Sequence, residues 1–394
     1  MRKAKLEELC IGITDGSHNP PKGIAKSEYL MLSSKNVYDD CITYDEPRYL
    51  SAEEYEQENK RTNITAGDVL LTIVGTVGRC AVVPQDCGNL VLQRSVSVLK
   101  PRKDICASRY LMYALISKRA LFESEARGVA QKGIYLKQLS QVEIPIPSLQ
   151  DQRGIICLLD NVQAIITARK QQIAELDTLV KARFVEMFGD PVSNAKAWQM
   201  RPLKETCALM TGNTPSRAVK EYYGSYIEWI KSDNIANSSL YLTAAAESLS
   251  EKGAEVGRVV HPGTILMTCI AGSLNTIGNV AIVDRDVAFN QQINAIIPHQ
   301  YDTLFLCYLL KLLKPKLHEA ASSALKCILN KGNLEAFTAI VPDMALQKEF
   351  SSFVVQSDKS KFSLANSGKQ LHFVVECIWR SLCKEMRIWP ISSF

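Results

Sequence analysis

The sequence predicts an α+β protein with two homologous mixed α/β domains, separated by long helices that pair as an antiparallel coiled coil in a pseudo-twofold arrangement. Three observations lead to this prediction: an internal duplication, a long amphipathic segment with a seven-residue apolar repeat after the first copy, and the start of a similar segment after the second copy. At 394 residues, the chain has room for two or three domains that each bury a core of their own.

The duplication is visible as blocks that recur in the same order along the chain. The matched blocks are residues 67–72 with 263–268, 76–83 with 276–283, 93–98 with 291–296, and 139–152 with 334–347. The distance between matched positions stays between 195 and 200 residues, which is far too long for a solenoid repeat. Each copy is therefore expected to be a domain, and two similar domains suit a ligand with two similar, spaced sites.

Each copy has the sequence pattern of a mixed α and β domain. Short β-branched runs bounded by glycine predict strands, and apolar residues at spacings of three and four predict helices. The predicted strands are 69–74, 79–83 and 91–99 in the first copy and 265–270, 280–283 and 293–297 in the second; the predicted helices are 110–122 and 304–317. Each copy closes on an apolar strand that ends in proline, at Pro147 and Pro342.

A long helix is predicted after the first copy, because residues 148–188 contain no proline and a single glycine, Gly154. Apolar residues recur there every seven positions, with a companion row between them, which is the pattern of a coiled coil. The predicted seam consists of Leu159, Val162, Ile166, Ile173, Leu176, Val180 and Met187. About 36 residues at ~1.5 Å each give a rod of ~54 Å, which needs a partner helix to cover its apolar stripe.

The partner is predicted after Pro342, where Leu346, Phe350 and Phe353 begin a matching pattern. After about residue 362 the pattern becomes atypical, because residues 363–368 are rich in weak helix formers. The predicted domain bounds are 1–147 for the first copy, 148–190 for the central helical region, 191–342 for the second copy and 343–394 for the distal helical region.

Charge is distributed unevenly, although the net charge is only +5. Residues 100–137 carry nine basic and three acidic side chains, and the matching residues 296–332 carry five basic and two acidic ones. A basic stretch that recurs in both copies favours phosphate binding over a merely solvated surface.

A set of short motifs recurs in order along the chain. The motifs are residues 14–21, 33–37, 75–78, 88–93, 139–152 and 184–191 in the first copy and central helix, and 212–216, 231–235 and 341–347 in the second. No single motif is specific, but the ordered set, present in two copies that each lead into a helix, is specific. With this set, the chain resembles the specificity (S) subunit of Type I restriction–modification enzymes over about residues 5 to 362.

The resemblance implies a non-catalytic subunit with two target-recognition domains, each of which reads one half of a split, asymmetric DNA target. It implies double-stranded DNA, two DNA methyltransferase subunits and endonuclease/translocase subunits as partners, and no cofactor. The candidate DNA-contacting residues are Lys22, Lys26, Lys35, Arg127, Lys132, Arg217, Lys220, Lys231, Lys326 and Lys331.

Three alternatives stay open: a coiled-coil scaffold without DNA specificity, a truncated specificity subunit that does not assemble, and a stand-alone DNA-modifying enzyme. The scaffold predicts no salt-sensitive DNA binding. The enzyme requires a cofactor loop that the sequence does not show. Residues 19–22 (Asn-Pro-Pro-Lys) have lysine where an amino-methyltransferase motif has a stacking aromatic, which favours a turn.

Other site chemistries find little support in the residue spacing. Residues 75–78 lack the Gly-Lys-Ser/Thr of a phosphate loop and favour a hairpin turn. The five histidines and 12 cysteines show no metal-ligand spacing, and Cys10 and Cys207 match between the copies as expected for core positions. No apolar run reaches the ~18 residues of a membrane span and the N-terminus has no apolar signal core, so we expect a cytoplasmic protein.

Overall fold

The computed structural model describes residues 2–126, 133–236, 239–323 and 327–382. The chain divides into two compact units, of which the first comprises Met1–Arg169 with Asn366–Phe394 and the second comprises Lys170–Ala365. Each unit contains one copy of the duplicated sequence together with parts of two long helices.

The first copy contains eleven described strands and five short helices. Its strands are β1 (Lys3–Lys5), β2 (Cys10–Asp15), β3 (Tyr29–Leu32), β4 (Val37–Tyr38), β5 (Cys41–Ile42), β6 (Arg48–Leu50), β7 (Val69–Thr72), β8 (Cys80–Val82), β9 (Asn89–Leu92), β10 (Val96–Pro101) and β11 (Glu143–Pro145). Its helices are α1 (Leu6–Leu9), α2 (Ala52–Thr62), α3 (Ser108–Ile116), α4 (Arg119–Glu125) and α5 (Leu136–Ser140), and the long helix α6 (Leu149–Phe188) follows.

The second copy repeats this succession of elements. Its strands are β12 (Met200–Pro202), β13 (Cys207–Thr211), β14 (Tyr223–Ile230), β15 (Ser248–Leu249), β16 (Val259–Val260), β17 (Ile265–Thr268), β18 (Ile270–Ala271), β19 (Val280–Ile282), β20 (Val287–Phe289), β21 (Ile293–Pro298), β22 (Ser322–Ser323), β23 (Cys327–Ile328) and β24 (Thr338–Ile340). Its helices are α7 (Leu203–Thr206), α8 (Glu251–Val256), α9 (Thr303–Leu312), α10 (Lys314–Glu319), α11 (Lys331–Ala336) and the long α12 (Met344–Leu382), with 3₁₀ turns at Lys220–Tyr222, Ser232–Asn234 and Leu274–Thr276.

The duplication extends to the sheet topology. A four-stranded antiparallel sheet has the order β2-β10-β7-β8 in the first copy and β13-β21-β17-β19 in the second. Beside it, β3 pairs in parallel with β9, and β14 pairs in parallel with β20. The terminal strands pair as β1–β11 and β12–β24. The sequence prediction of two homologous mixed α/β domains is therefore confirmed at the level of hydrogen bonding.

The structure corrects two details of the sequence prediction. Val96 pairs with Thr72 and Ile293 pairs with Thr268, so the equivalent of residue 93 is residue 290 and not 291. The predicted helices 110–122 and 304–317 are each two helices, broken after Ile116 and at Leu313. Apolar spacing continues across both breaks, which is why the pattern alone does not reveal them.

A buried glutamine fastens each long helix to its domain. Gln152 Oε1 accepts a bond from Ala107 N, and Gln347 Oε1 accepts one from Asp302 N, both at 2.9 Å. The amide groups then donate to Pro147 O at 3.0 Å and Pro342 O at 2.7 Å. A buried amide without these hydrogen-bond partners would destabilise the fold. The glutamine therefore fixes the position at which each helix leaves its domain.

In the first unit, the predicted seam residues Leu159, Val162 and Ile166 of α6 are buried, and Leu159 belongs to a core cluster onto which Ile378 of α12 packs. The helix α12 continues through residues 363–368, where the sequence predicts weakening. Packing of apolar residues such as Ile378 outweighs the low local helix propensity there.

In the second unit, Val180 of the seam is fully buried, whereas Ile173, Leu176 and Met187 are half-buried. Two ion pairs join α6 to α12: Arg183 bonds Glu349 at 2.9 Å, and Lys361 bonds Asp177 at 2.6 Å. The earlier of the two α6 residues, Asp177, pairs with the later of the two α12 residues, Lys361. The two helices therefore run antiparallel within this unit.

The cores lie between the four-stranded sheets and the helices. Cys10 and Cys207 are buried at equivalent sites in these cores. Burial raises the pKa of the Cys10 thiol to about 12 and that of Cys207 to about 11, which leaves both as neutral core side chains. In the described part of the chain, no helix is both long enough and apolar enough to cross a membrane.

Candidate nucleic-acid interface

Three predicted DNA-contacting lysines of the first copy lie on exposed loops. Lys22 and Lys26 lie between β2 and β3, and Lys35 follows β3. Among the described residues, none of the three ammonium groups forms an ion pair. They are therefore free to meet an anion without breaking an existing contact.

Two predicted cations of the second copy are held in place by their neighbours. Arg217 bonds Glu247 at 2.7 Å, and Lys231 bonds the other oxygen of the same carboxylate. These two bonds, with that of Lys231 the larger cause, lower the pKa of Glu247. Both cations also lie over the buried Trp229 ring, at 5.1 Å and 5.2 Å from its centroid. Glu247 neutralises part of their charge while the ring fixes their direction.

The remaining candidates fall into two groups. Lys220 is exposed at the start of a 3₁₀ turn, and Lys331 pairs with Glu335 at 3.3 Å on α11. Arg127, Lys132 and Lys326 lie outside the described residues.

In the first copy, three of the nine cations of the basic stretch are paired with carboxylates inside the fold. Arg109 bonds Asp40 at 2.9 Å and Asp160 at 2.6 Å, Arg119 bonds Asp39, and Lys100 bonds Asp68 at 2.5 Å. These carboxylates come from distant parts of the chain, so the charge count along the sequence overstates the free positive charge.

The basic stretch of the second copy is used in the same way. Lys311 donates to Ser239 O at 2.9 Å, Lys314 donates to Asn275 O at 2.6 Å, and Lys316 donates to Val192 O. Burial lowers the pKa of Lys314, as expected for a lysine partly withdrawn from water. These lysines cap backbone carbonyls and are not displayed for phosphate.

The sequence prediction missed a cleft at one end of the first four-stranded sheet. The cleft has a volume of about 490 Å³. It lies at the sheet end where β2 and β7 end and β10 begins. Its lining residues include Asp15, His18, Arg61, Ile73, Val74, Arg94 and Tyr135. Three basic side chains, His18, Arg61 and Arg94, therefore meet at one sheet end, although they are up to 76 positions apart in sequence.

Asp15 organises two of these side chains. Its carboxylate bonds the Arg61 guanidinium at 2.5 Å and His18 Nε2 at 2.8 Å. Arg61 Nε also donates to Asp15 O at 2.9 Å. The Asp15 side chain is 10% exposed, so this arrangement is anchored on the floor of the cleft. Tyr135, which is 68% exposed, adds an aromatic ring at the rim.

The second copy has the same backbone at this sheet end but different side chains. Ser17 N bonds Leu92 O at 2.7 Å, and Asn213 N bonds Phe289 O at 3.1 Å. The residue that follows is His18 in the first copy and Thr214 in the second. Likewise, Ile134 N donates to Ile73 O at 2.9 Å in the first copy, and Leu329 N donates to Cys269 O at 2.9 Å in the second. The residue that follows is Tyr135 in the first copy and Asn330 in the second.

A family model described as the Type I restriction modification DNA specificity domain matches residues 26–178 and 195–371. The chain belongs to this family. As a Type I specificity chain it has a DNA sequence-specificity role within a restriction–modification system, and the role of such subunits is non-catalytic.

Relatives of this specificity chain are named as specificity subunits of Type I restriction enzymes. The HindI specificity subunit of Haemophilus influenzae is 28% identical over 390 residues, which covers 78% of this chain and 84% of the relative. The putative MjaX specificity subunit of Methanocaldococcus jannaschii is 22% identical over 318 residues, covering 75% and 73%.

Two solved structures share the fold of the specificity chain over nearly its full length. One, from a study of assembly and conformational transition of the type I R-M system, has a TM-score of 0.59 at 16% identity and covers 97% of both chains. The S subunit of a Type-I restriction-modification system from M. genitalium has a TM-score of 0.51 at 14% identity and covers 98% of this chain and 96% of its own.

Proposed function

We propose that the chain reads a bipartite, asymmetric target in double-stranded DNA, with residues 1–147 reading one half and residues 191–342 reading the other. The observation that carries this proposal is the sheet end at which the two copies keep the same backbone bonds and differ in side chain. Because sequence readout depends on which donors and acceptors reach the base edges, one scaffold with two side-chain sets selects two different half-sites.

The long helices α6 and α12 act in this proposal as the spacer between the readers and as the docking surface for two methyltransferase subunits. In the first unit, α6 exposes Leu158 and Ile165, which are 48% and 44% accessible and seven residues apart. These two residues lie on one helix face that is separate from the buried seam. Endonuclease subunits join in the full complex, which works on DNA in the cytoplasm.

Removal of the exposed lysines of the first copy is expected to weaken DNA binding. Replacing Lys22, Lys26 and Lys35 by alanine removes charge that no carboxylate of the described fold neutralises. Affinity for a fluorescent duplex should fall, and the salt slope should flatten by roughly one unit for each phosphate that is no longer bound. The measurement is a titration of the full chain at several salt concentrations.

A matched control is Lys103→Ala, because Lys103 is exposed in the turn after β10, at the opposite end of the sheet. It removes one charge without touching the proposed surface, and its salt slope should match that of the unchanged protein. Equal slopes for the triple variant and the control would contradict DNA binding through these loops.

A further inference from the structure

Arg94 and Gln291 occupy the same place in the two copies. The residue before each is fixed to a neighbouring strand: Gln93 N bonds Leu32 O at 2.8 Å, and Asn290 N bonds Ile230 O at 3.0 Å. The residue after each accepts two bonds from the neighbouring chain segment. Ser95 O accepts from residues 73 and 74, and Gln292 O accepts from residues 269 and 270. The backbone between these anchors is thus held in the same way in both copies.

The side chains of Arg94 and Gln291 are both exposed. Within the described residues, neither forms a side-chain hydrogen bond or an ion pair. In the first copy, Arg61 and His18 are committed to Asp15, whereas the Arg94 guanidinium has no hydrogen-bond or ion-pair partner there. Among the described side chains of the cleft, Arg94 is therefore the free cation.

The second copy repeats this situation with amides. Asn290 Nδ2 bonds Gln292 Oε1 at 3.2 Å, so the amides on either side of Gln291 are engaged with each other. The Gln291 amide itself makes no bond within the described part of the chain. In each copy, the rigid end of a sheet thus displays one uncommitted polar side chain.

The chemistry of the two side chains distinguishes their partners. A guanidinium donates two parallel hydrogen bonds, which match the O6 and N7 acceptors of guanine in the major groove. A glutamine amide both donates and accepts, which matches N7 and N6 of adenine. Neither pairing suits the other base, because a guanidinium has no acceptor for the adenine amino group.

We propose that Arg94 and Gln291 are equivalent specificity-determining residues, with Arg94 contacting a guanine in the first half-site and Gln291 contacting an adenine in the second. This inference rests on the proposed function, since it requires that each copy reads one half-site. It adds the residue and the base through which each copy does so.

The test is a pair of reciprocal substitutions, Arg94→Gln and Gln291→Arg, each expressed in the full-length chain with the methyltransferase subunits of its host. Methylated sites in genomic DNA are mapped for each variant. Arg94→Gln should reduce methylation at the original target about 5- to 150-fold, because one bidentate pair is removed, and should change a guanine of the first half-site only. Gln291→Arg should change an adenine of the second half-site only.

Two further variants separate base contact from other effects. Arg102→Gln makes the same substitution at the other end of β10 and should leave the map unchanged. Arg94→Lys keeps the charge but removes the bidentate geometry, so it should still relax the choice of base.

An unchanged target with uniformly weaker methylation in Arg94→Gln would assign Arg94 to phosphate and overturn the inference, as would a change in both half-sites. The first of these results leaves the proposed function intact, because the chain still directs a split target. A change in both half-sites would also contradict the assignment of one half-site to each copy. Absence of any chain-dependent methylation would overturn the proposed function and this inference with it.

Discussion

Replacing Phe184 with alanine is expected to lower the free energy of unfolding of the second unit by about 3–5 kcal/mol. Phe184 is fully buried where α6 meets the second copy. Its ring lies edge-on to Phe350 at 5.2 Å and stacks on Phe305 at 5.5 Å between centroids. Removing it leaves a cavity shared by α6, α9 and α12, which the surrounding structure fills only partially by relaxing.

Denaturant unfolding followed by circular dichroism and tryptophan fluorescence measures this destabilisation. Trp198 is a suitable reporter, because its Nε1 donates to Phe188 O at 2.8 Å in the same unit. Val185→Ala is the matched control, since Val185 is the next residue on α6 and is 45% exposed, and it should change stability by less than about 0.5 kcal/mol. Similar destabilisation by the two variants would show that the helix is not anchored through this aromatic cluster.

Lengthening both long helices by seven residues is expected to change the unread spacer of the DNA target and nothing else in it. The units divide at Arg169/Lys170 in α6 and at Ala365/Asn366 in α12, so insertions there leave the contacts within each unit intact. Seven residues are two helical turns and keep the phase of the apolar seam. At ~1.5 Å per residue they add ~10 Å, or about three base pairs.

The control is a pair of five-residue insertions at the same two points, which rotates each seam out of phase and should abolish chain-dependent methylation. The measurement is a methylation map of genomic DNA for each pair of insertions. A seven-residue pair that alters bases within a half-site, or that leaves the spacer length unchanged, would show that the helices do not set the distance between readers.

The duplication and the long helices were predictable because they depend on local patterns. Blocks such as residues 67–72 and 263–268 carry the strands of the same sheet in both copies, and a seven-residue repeat predicts a helix with one buried face. The continuity of α12 was not predictable in this way, because contacts such as that of Ile378 with the first core come from distant residues.

The candidate interface was less accessible to sequence reasoning. Arg109 is one of nine basic side chains in its stretch, but its charge is matched by Asp40, which lies 69 residues earlier, and by Asp160. Charge counted along the chain cannot show such pairing. Arg94 is not among the residues predicted from the sequence, and the sequence alignment of the two copies sets it against Gln292 instead of Gln291. The bond of Cys269 N to Gln292 O corrects the alignment.

We infer that the two copies read different half-sites independently of each other. A methylation map of genomic DNA from cells with and without this chain tests this inference. We expect sites that depend on the chain and consist of two different half-sites separated by an unread spacer of fixed length. A palindromic target, or one continuous site, would contradict it.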